Sequence, residues 1–171
     1  MEFTHLHVHT EYSLLDGSNK IKEYVARVKK LGMDSAAITD HGVMYGVIDF
    51  YRAARAEGIN PILGCEVYVA PSSRFDREAG SGEDRYYHLV LLAENNQGYA
   101  NLMKIVSKGF TEGFYYKPRV DLAVLKEYHE GIIALSACLA GEVQRYLARG
   151  MYEAGCKVIS SYPGTPSTEI T

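Results

Sequence analysis

Two histidines, His7 and His9, stand two residues apart, and a carboxylate, Asp16, follows within the next turn. On an extended segment, residues two apart point to the same face. Two imidazoles on one face beside a carboxylate form a donor set for a divalent metal ion. The plain alternative is a solvated histidine pair. Further metal-competent side chains recur along the chain: Asp40 and His41 in Asp40-His41-Gly42, Glu66 between Cys65 and Val67, His88 ahead of Leu89-Val90-Leu91-Leu92, and Cys138. A carboxylate inside an apolar strand is costly unless it is paired or bound to metal, which singles out Glu66. Each of the others has a bland reading of its own. His41 could cap a turn, His88 could be a core histidine, and Cys138 could be plain packing. His5 and His129 read as surface or partner residues. The set argues for chemistry where no single member does.

Elements must bring these residues together. Phe3, Leu6 and Val8 predict a short first strand, closed by the turn Asp16-Gly17-Ser18-Asn19. Apolar spacing predicts a helix from about Asn19 to Leu31, capped by Ser18 and stopped by Gly32. Strands are expected at 35–39, 61–69, 86–93 and 131–136. Helices are expected at 45–57, 94–107 and 120–128, and from about Gly141. Residues 71–85 read as an exposed loop, and 108–120 as an aromatic, irregular stretch. Apolar strands alternating with helices predict an α/β fold, a parallel sheet covered by helices. Such folds gather their chemistry at the C-terminal ends of strands. His7, His9, Asp40, His41 and Cys138 obey that rule, and Glu66 lies within its strand. His88 opens its strand instead and fits less well.

The 171 residues are of single-domain length. A net charge of -3 and an isoelectric point near 6.1 exclude a broad basic face for duplex DNA. Any nucleic acid chemistry must then work through a local site. No apolar run is long enough to span a membrane, and the N-terminus lacks a signal pattern. Cys65, Cys138 and Cys156 form no CxxC pair and are odd in number, which points to a reducing cytoplasm. There is no glycine-rich phosphate loop, GxSxG or Walker motif. Mixed nitrogen, oxygen and sulfur donors suit zinc, with manganese or iron as alternatives. Carboxylates able to bridge ions suggest a multinuclear site for phosphoester hydrolysis.

Six segments carry a family resemblance. They are His7 through Gly17 (HVHTEYSLLDG), Thr39-Asp40-His41-Gly42 with Tyr45-Gly46, Gly64-Cys65-Glu66-Val67-Tyr68, His88 through Ala93, Gly113 through Asp121 (GFYYKPRVD) and Leu135 through Glu142. Together they resemble the N-terminal PHP (polymerase and histidinol phosphatase) domain of the alpha subunit of bacterial DNA polymerase III, over residues 1 to about 152. The resemblance implies a distorted (βα)7 barrel, here truncated and lacking its last strands. It implies up to three metal ions, zinc or manganese, held by His7, His9, Asp16, His41, Glu66, His88 and Cys138. Asp40 is a supporting acid, and His9, Glu66 and Asp40 are the catalytic candidates. Some members are metal-dependent 3′–5′ exonucleases. Others, having lost ligands of the first histidine pair, are scaffolds; this sequence keeps both histidines.

The implied partners are a DNA 3′ end or another phosphoester, and the replication polymerase subunits. No membrane is implied, and an open sheet edge invites self-association. The family's downstream Asp-x-His motif and the polymerase palm are absent from the sequence, so few ions and weak or no hydrolysis are expected. The alternative is a non-catalytic scaffold or partner-binding module that keeps a structural metal. Residues 153–171 form a separate tail, similar to the start of the alpha subunit of indolepyruvate ferredoxin oxidoreductase. It is too short to build a thiamine site.

Overall fold

Isoleucine and valine at helical spacing make α1 (Ile21–Lys30), which buries Ile21, Val25 and Val28. Its N-cap is Lys20, without a side-chain cap, so the expected Ser18 cap is not formed. In the computed structural model the described residues are 3–14, 16–78, 86–138 and 140–153. After α1 come β1 (Ser35–Ile38), α2 (Val47–Ala56), β2 (Asn60–Val69), β3 (Tyr87–Ala93) and α3 (Asn96–Thr111). The remaining elements are β4 (Phe114–Tyr115), β5 (Lys117–Val120), α4 (Leu122–Glu127), β6 (Ile132–Leu135) and α5 (Glu142–Glu153). Asn95 and Asp121 cap α3 and α4, accepting from the N–H groups of Gly98 and Val124. α5 runs across the boundary expected at 152. The tail from 154 onward, with Cys156, lies outside the described residues.

The strands follow the path β4-β5-β2-β3-β6, with β1 also on β2. β2 is parallel to β1 and to β5 and antiparallel to β3. β6 is antiparallel to β3, and β4 to β5. Four strands, β1, β2, β5 and β6, therefore run one way, and β3 and β4 run against them. The α/β class with a mostly parallel sheet is as expected. The uniform parallel direction is corrected at β3 and β4. The path is open, since β4 and β6 at its ends are not paired with each other among the described residues. Among those residues no helix is long and apolar enough to cross a membrane.

Two apolar clusters fix the sheet. One joins Val25, Val28, Ile38, Val47 and Phe50 beneath α1 and α2. The other joins Cys65, Val67, Leu91, Leu102, Ile105, Val120 and Val124 around α3 and α4. Residues 114–120, read as irregular, are a hairpin instead, with Tyr116 at its turn in the left-handed region (φ 59°).

The expected first strand is also corrected. Residues 3–9 run beside β1 with a bend at His7 and form no regular ladder. The carbonyls of His5 and Val8 take the N–H groups of Ala37 and Thr39. Three steps on one side thus face two on the other, which breaks the register. The Thr39 hydroxyl repairs the break, accepting from the Val8 N–H at 2.8 Å and donating to the Val8 carbonyl at 3.1 Å. A Thr39→Val substitution keeps the shape and removes both bonds. It should cost about 1–3 kcal/mol in urea unfolding, the range for a buried polar group left unsatisfied. Unchanged stability would mean that the two backbone bonds and the side chains hold the segment without the hydroxyl.

Candidate metal centre

Alternation along β2 sends Cys65 and Val67 into the apolar cluster around α3, so Glu66 faces the other way. It is 0% exposed. The Asp40-His41-Gly42 loop prolongs the β1 pairing: the Glu66 N–H donates to the Asp40 carbonyl, and the Gly42 N–H donates to the Glu66 carbonyl. His7 and His9 each place Nε2 2.6 Å from Glu66 Oε2, and the two nitrogens are 3.2 Å apart. His41 Nδ1 lies 3.6 Å from the same oxygen. On the other oxygen, Oε1, His88 Nδ1 lies at 3.0 Å. Cys138 Sγ is 3.4 Å from that nitrogen and 3.9 Å from Oε1. Asp16 Oδ2 ties the rim, 2.7 Å from His9 Nδ1 and 3.0 Å from His41 Nε2. All seven expected ligands therefore converge.

The reversed direction of β3 explains His88. In the antiparallel register, Tyr68 faces His88 and Val90 faces Glu66, so the start of β3 lies at the C-terminal end of β2. A residue that opens a strand reaches the site because that strand runs backwards. Cys138 arrives through a tight turn. Ala137 is left-handed (φ 58°), and Gly141 then pairs with His88. That conformation costs a non-glycine residue about 1–2 kcal/mol, which the surrounding contacts must hold in place.

The charges follow from the geometry. Burial favours a neutral Glu66, but hydrogen bonds from His7, His88 and His9 overcome it and hold the carboxyl well below the usual range. Burial also opposes charge on His88, yet its contacts with Cys138 and Glu66 raise it to about 9. His9 is raised too, with Glu66 and Asp16 outweighing burial. On Asp16, burial is outweighed by the Ser13 hydroxyl and by His9, and its carboxyl is lowered. On His41 burial wins, lowering its pKa, as it does on Asp40, whose carboxyl it raises.

His41 Nδ1 is buried without a hydrogen-bond partner, an available lone pair inside a ring of donors. Three groups each bring their ligand atoms within 4.8 Å of one another: His7, His9 and Glu66; His9, Asp16 and His41; and His41, Glu66 and His88. Imidazole and carboxylate donors at this spacing, with a thiol beside them, fit zinc or manganese. The groups share members, and a neutral imidazole offers one lone pair. Glu66 is the natural bridge, with Oε2 serving the His7–His9 side and Oε1 the His88–Cys138 side.

Asp40 stands apart from these groups. It is buried, and its oxygens accept from the Thr10 N–H at 2.5 Å and the Thr10 hydroxyl at 2.8 Å. It steadies the residue next to His9. His5 packs on Phe3, and His129 bonds the Lys126 carbonyl, both away from the centre. Sequence reasoning missed Thr10, Ser13, Thr39 and Tyr68. Ser13 donates to Asp16 at 2.8 Å and accepts from the His41 N–H at 3.3 Å. Tyr68 stacks on His41 with ring centres 5.8 Å apart. The signal for Tyr68 was its place two residues after Glu66, on the same strand face. Hydroxyls beside ligands were the signal for the others.

Known proteins resemble this chain. The PHP domain family pattern matches residues 5–164. The DNA polymerase III subunit alpha of Treponema pallidum is 52% identical over 150 residues, covering 88% of this chain and 13% of that protein. The same subunit of Helicobacter pylori is 53% identical over 145 residues, covering 85% of this chain and 12% of that protein. The chain thus spans about an eighth of the length of these relatives. Among solved structures, a chain assigned as a metal-dependent phosphoesterase, from Bifidobacterium adolescentis, overlaps at a TM-score of 0.45 and 21% identity. That overlap covers 63% of this chain and 33% of the other. It is a loose one, and the fold rests on the strand pairings instead.

The titration has a direct consequence. His88 and His9 have raised pKa values in the metal-free fold, so their charged forms contribute stability below the ordinary histidine value of 6.5. That contribution is lost as pH rises toward about 9. Glu66 stays ionised throughout this window. Metal binding needs neutral imidazoles and gains over the same range. The melting temperature of chelator-treated protein should therefore fall between pH 6.5 and 9, while the increment from added zinc grows. A zinc increment that shrinks with pH would contradict these assignments.

Proposed function

The chain belongs to the PHP domain family, and on that premise we propose that it binds divalent ions at the Glu66 cluster and hydrolyses phosphoesters there. One observation carries the reading: a fully buried carboxylate meets His7, His9, His41, His88 and Cys138, drawn from separate segments of the chain. Zinc or manganese suits that donor set. When bound, such ions polarise the phosphorus–oxygen bonds and lower the pKa of water. The chain's own residues hold the geometry. Glu66 spans the two halves through its two oxygens. Asp16 fixes the ring orientations of His9 and His41. Asp40 acts through Thr10 as a positioning residue, while His9 and Glu66 stand at the reacting centre.

The finer reading follows the family resemblance of the sequence. The substrate is a DNA 3′ end, cut in the 3′–5′ direction, in a cytoplasmic setting beside replication polymerase subunits. Residues 1–152 are read as the PHP unit and 153–171 as a tail of separate origin. The outer edge of β6, where Ile133 is exposed, is the place where a second copy would associate.

Elemental analysis and hydrolysis of a 3′-labelled oligonucleotide test the proposal together. Wild-type protein should hold at least one ion and release labelled mononucleotide. His9→Ala and Glu66→Gln should each lose metal and lower turnover by at least about a hundredfold, since removing a ligand exceeds the 10–100-fold typical of a residue behind one. Asp40→Asn should fall within that 10–100-fold range. Tight metal binding without turnover would leave the scaffold reading. No bound metal would overturn both.

A further inference from the structure

A protein of net charge -3 can hold a nucleic acid strand only by a local grip. Such a grip borders the metal centre. Gly42 follows His41 with φ 67°, and a Cβ there would meet Pro118 Cγ and Tyr68 Cε2, each at 2.9 Å. The β4–β5 hairpin therefore packs against the backbone of the ligand-bearing loop. Lys117, on that hairpin, places Nζ 5.4 Å from the centre of the Tyr68 ring. The same ring stacks on His41 at 5.8 Å and meets His88 edge-on at 5.2 Å. At the hairpin turn, Tyr116 is 64% exposed and left-handed, and Phe114 beside it is 49% exposed. A strained tyrosine where glycine or asparagine would sit at ease marks a place where the ring itself is wanted.

Resting on the phosphoesterase reading above, we infer that the β4–β5 hairpin is the substrate grip of this centre: Lys117 holds a phosphate next to the one cleaved, and the Tyr116 ring stacks on a base of single-stranded nucleic acid. A lysine among aromatic rings is how sequence-neutral single-strand sites are built, the cation for the backbone and the ring for any base. A duplex hides its base faces and offers nothing to Tyr116. The shared Tyr68 ring couples the grip to His41, so the strand and the ligands keep one geometry. Neither Lys117 nor Tyr116 belongs to the ligand set.

The test is fluorescence anisotropy of the 171-residue protein with a 5′-labelled single-stranded oligonucleotide of about ten nucleotides, a length within the site sizes of such proteins. It is run with zinc and with chelator, across salt concentrations. Lys117→Met keeps the unbranched stem over Tyr68 and removes the charge. It should weaken binding roughly tenfold and lower the salt slope by about one. Lys117→Arg should restore both. Tyr116→Asn tolerates the left-handed backbone and should weaken single-strand binding roughly tenfold, leaving duplex binding unchanged. Bound metal and melting temperature should not move in any of the three. Wild-type affinity and salt slope in Lys117→Met would overturn the inference, as would loss of metal in that variant or no measurable binding by the wild type. The readout needs no turnover. Absent hydrolysis with Lys117-dependent binding would sink the proposed activity and leave the grip standing. Hydrolysis with unchanged binding would do the reverse.

Discussion

An ionised carboxylate with no exposure to water is the constraint on which the rest depends. Glu66 would be intolerable in an apolar interior unless its charge were answered on all sides. The fold answers it with imidazoles from the N-terminal segment, from the loop after β1 and from the start of β3, and with a thiol from the turn after β6. Removing any one leaves part of a buried charge uncompensated. The segment before α1 illustrates the demand. It forms no ladder of its own, yet the Thr39 hydroxyl holds it against β1 closely enough for two rings to share one oxygen. Structure that would otherwise fray is kept in place at the edge of this centre.

Much of this was legible in advance. Metal-competent residue types recurring near strands marked the candidates one by one, and the family resemblance joined the seven that converge into one set. The α/β alternation was legible for the same reason that helices and strands differ in period. Strand direction was not. His88 looked misplaced because an apolar run reads alike in either direction, and only pairing partners distant in sequence decide which way it runs. The first segment looked like a strand because its apolar residues alternate. What breaks its ladder is the spacing of carbonyls along a neighbour, which no local pattern records. The hairpin at 114–120 was hidden by Pro118 and by a turn built on Tyr116 rather than on glycine. Asp40 was legible as important but not in its manner of acting. Its oxygens are spent on Thr10, a partner thirty positions away.

The histidine contacts also separate two kinds of stability. His7 and His9 reach Glu66 from 59 and 57 positions away, and Cys138 from 72. Contacts that distant reward the chain only after most loops have closed. Local helices and the two apolar clusters must therefore carry folding, and the centre refines a fold already made. The pH behaviour of the metal-free protein then reports on the centre rather than on the core.

β2 leaves almost no room for slippage. Cys65, Glu66 and Val67 are all fully or nearly fully buried, but they face opposite sides of the sheet. Sliding this strand by a single position would turn the carboxylate into the apolar layer under α3 and present a thiol or a valine to the histidines. The neighbours cannot absorb the shift, because β1, β3 and β5 are all in register with β2 at once. Between Asn60 and Val69 the gene should thus accept changes of letter far more readily than changes of length. An inserted or deleted codon there would invert the chemistry of the centre.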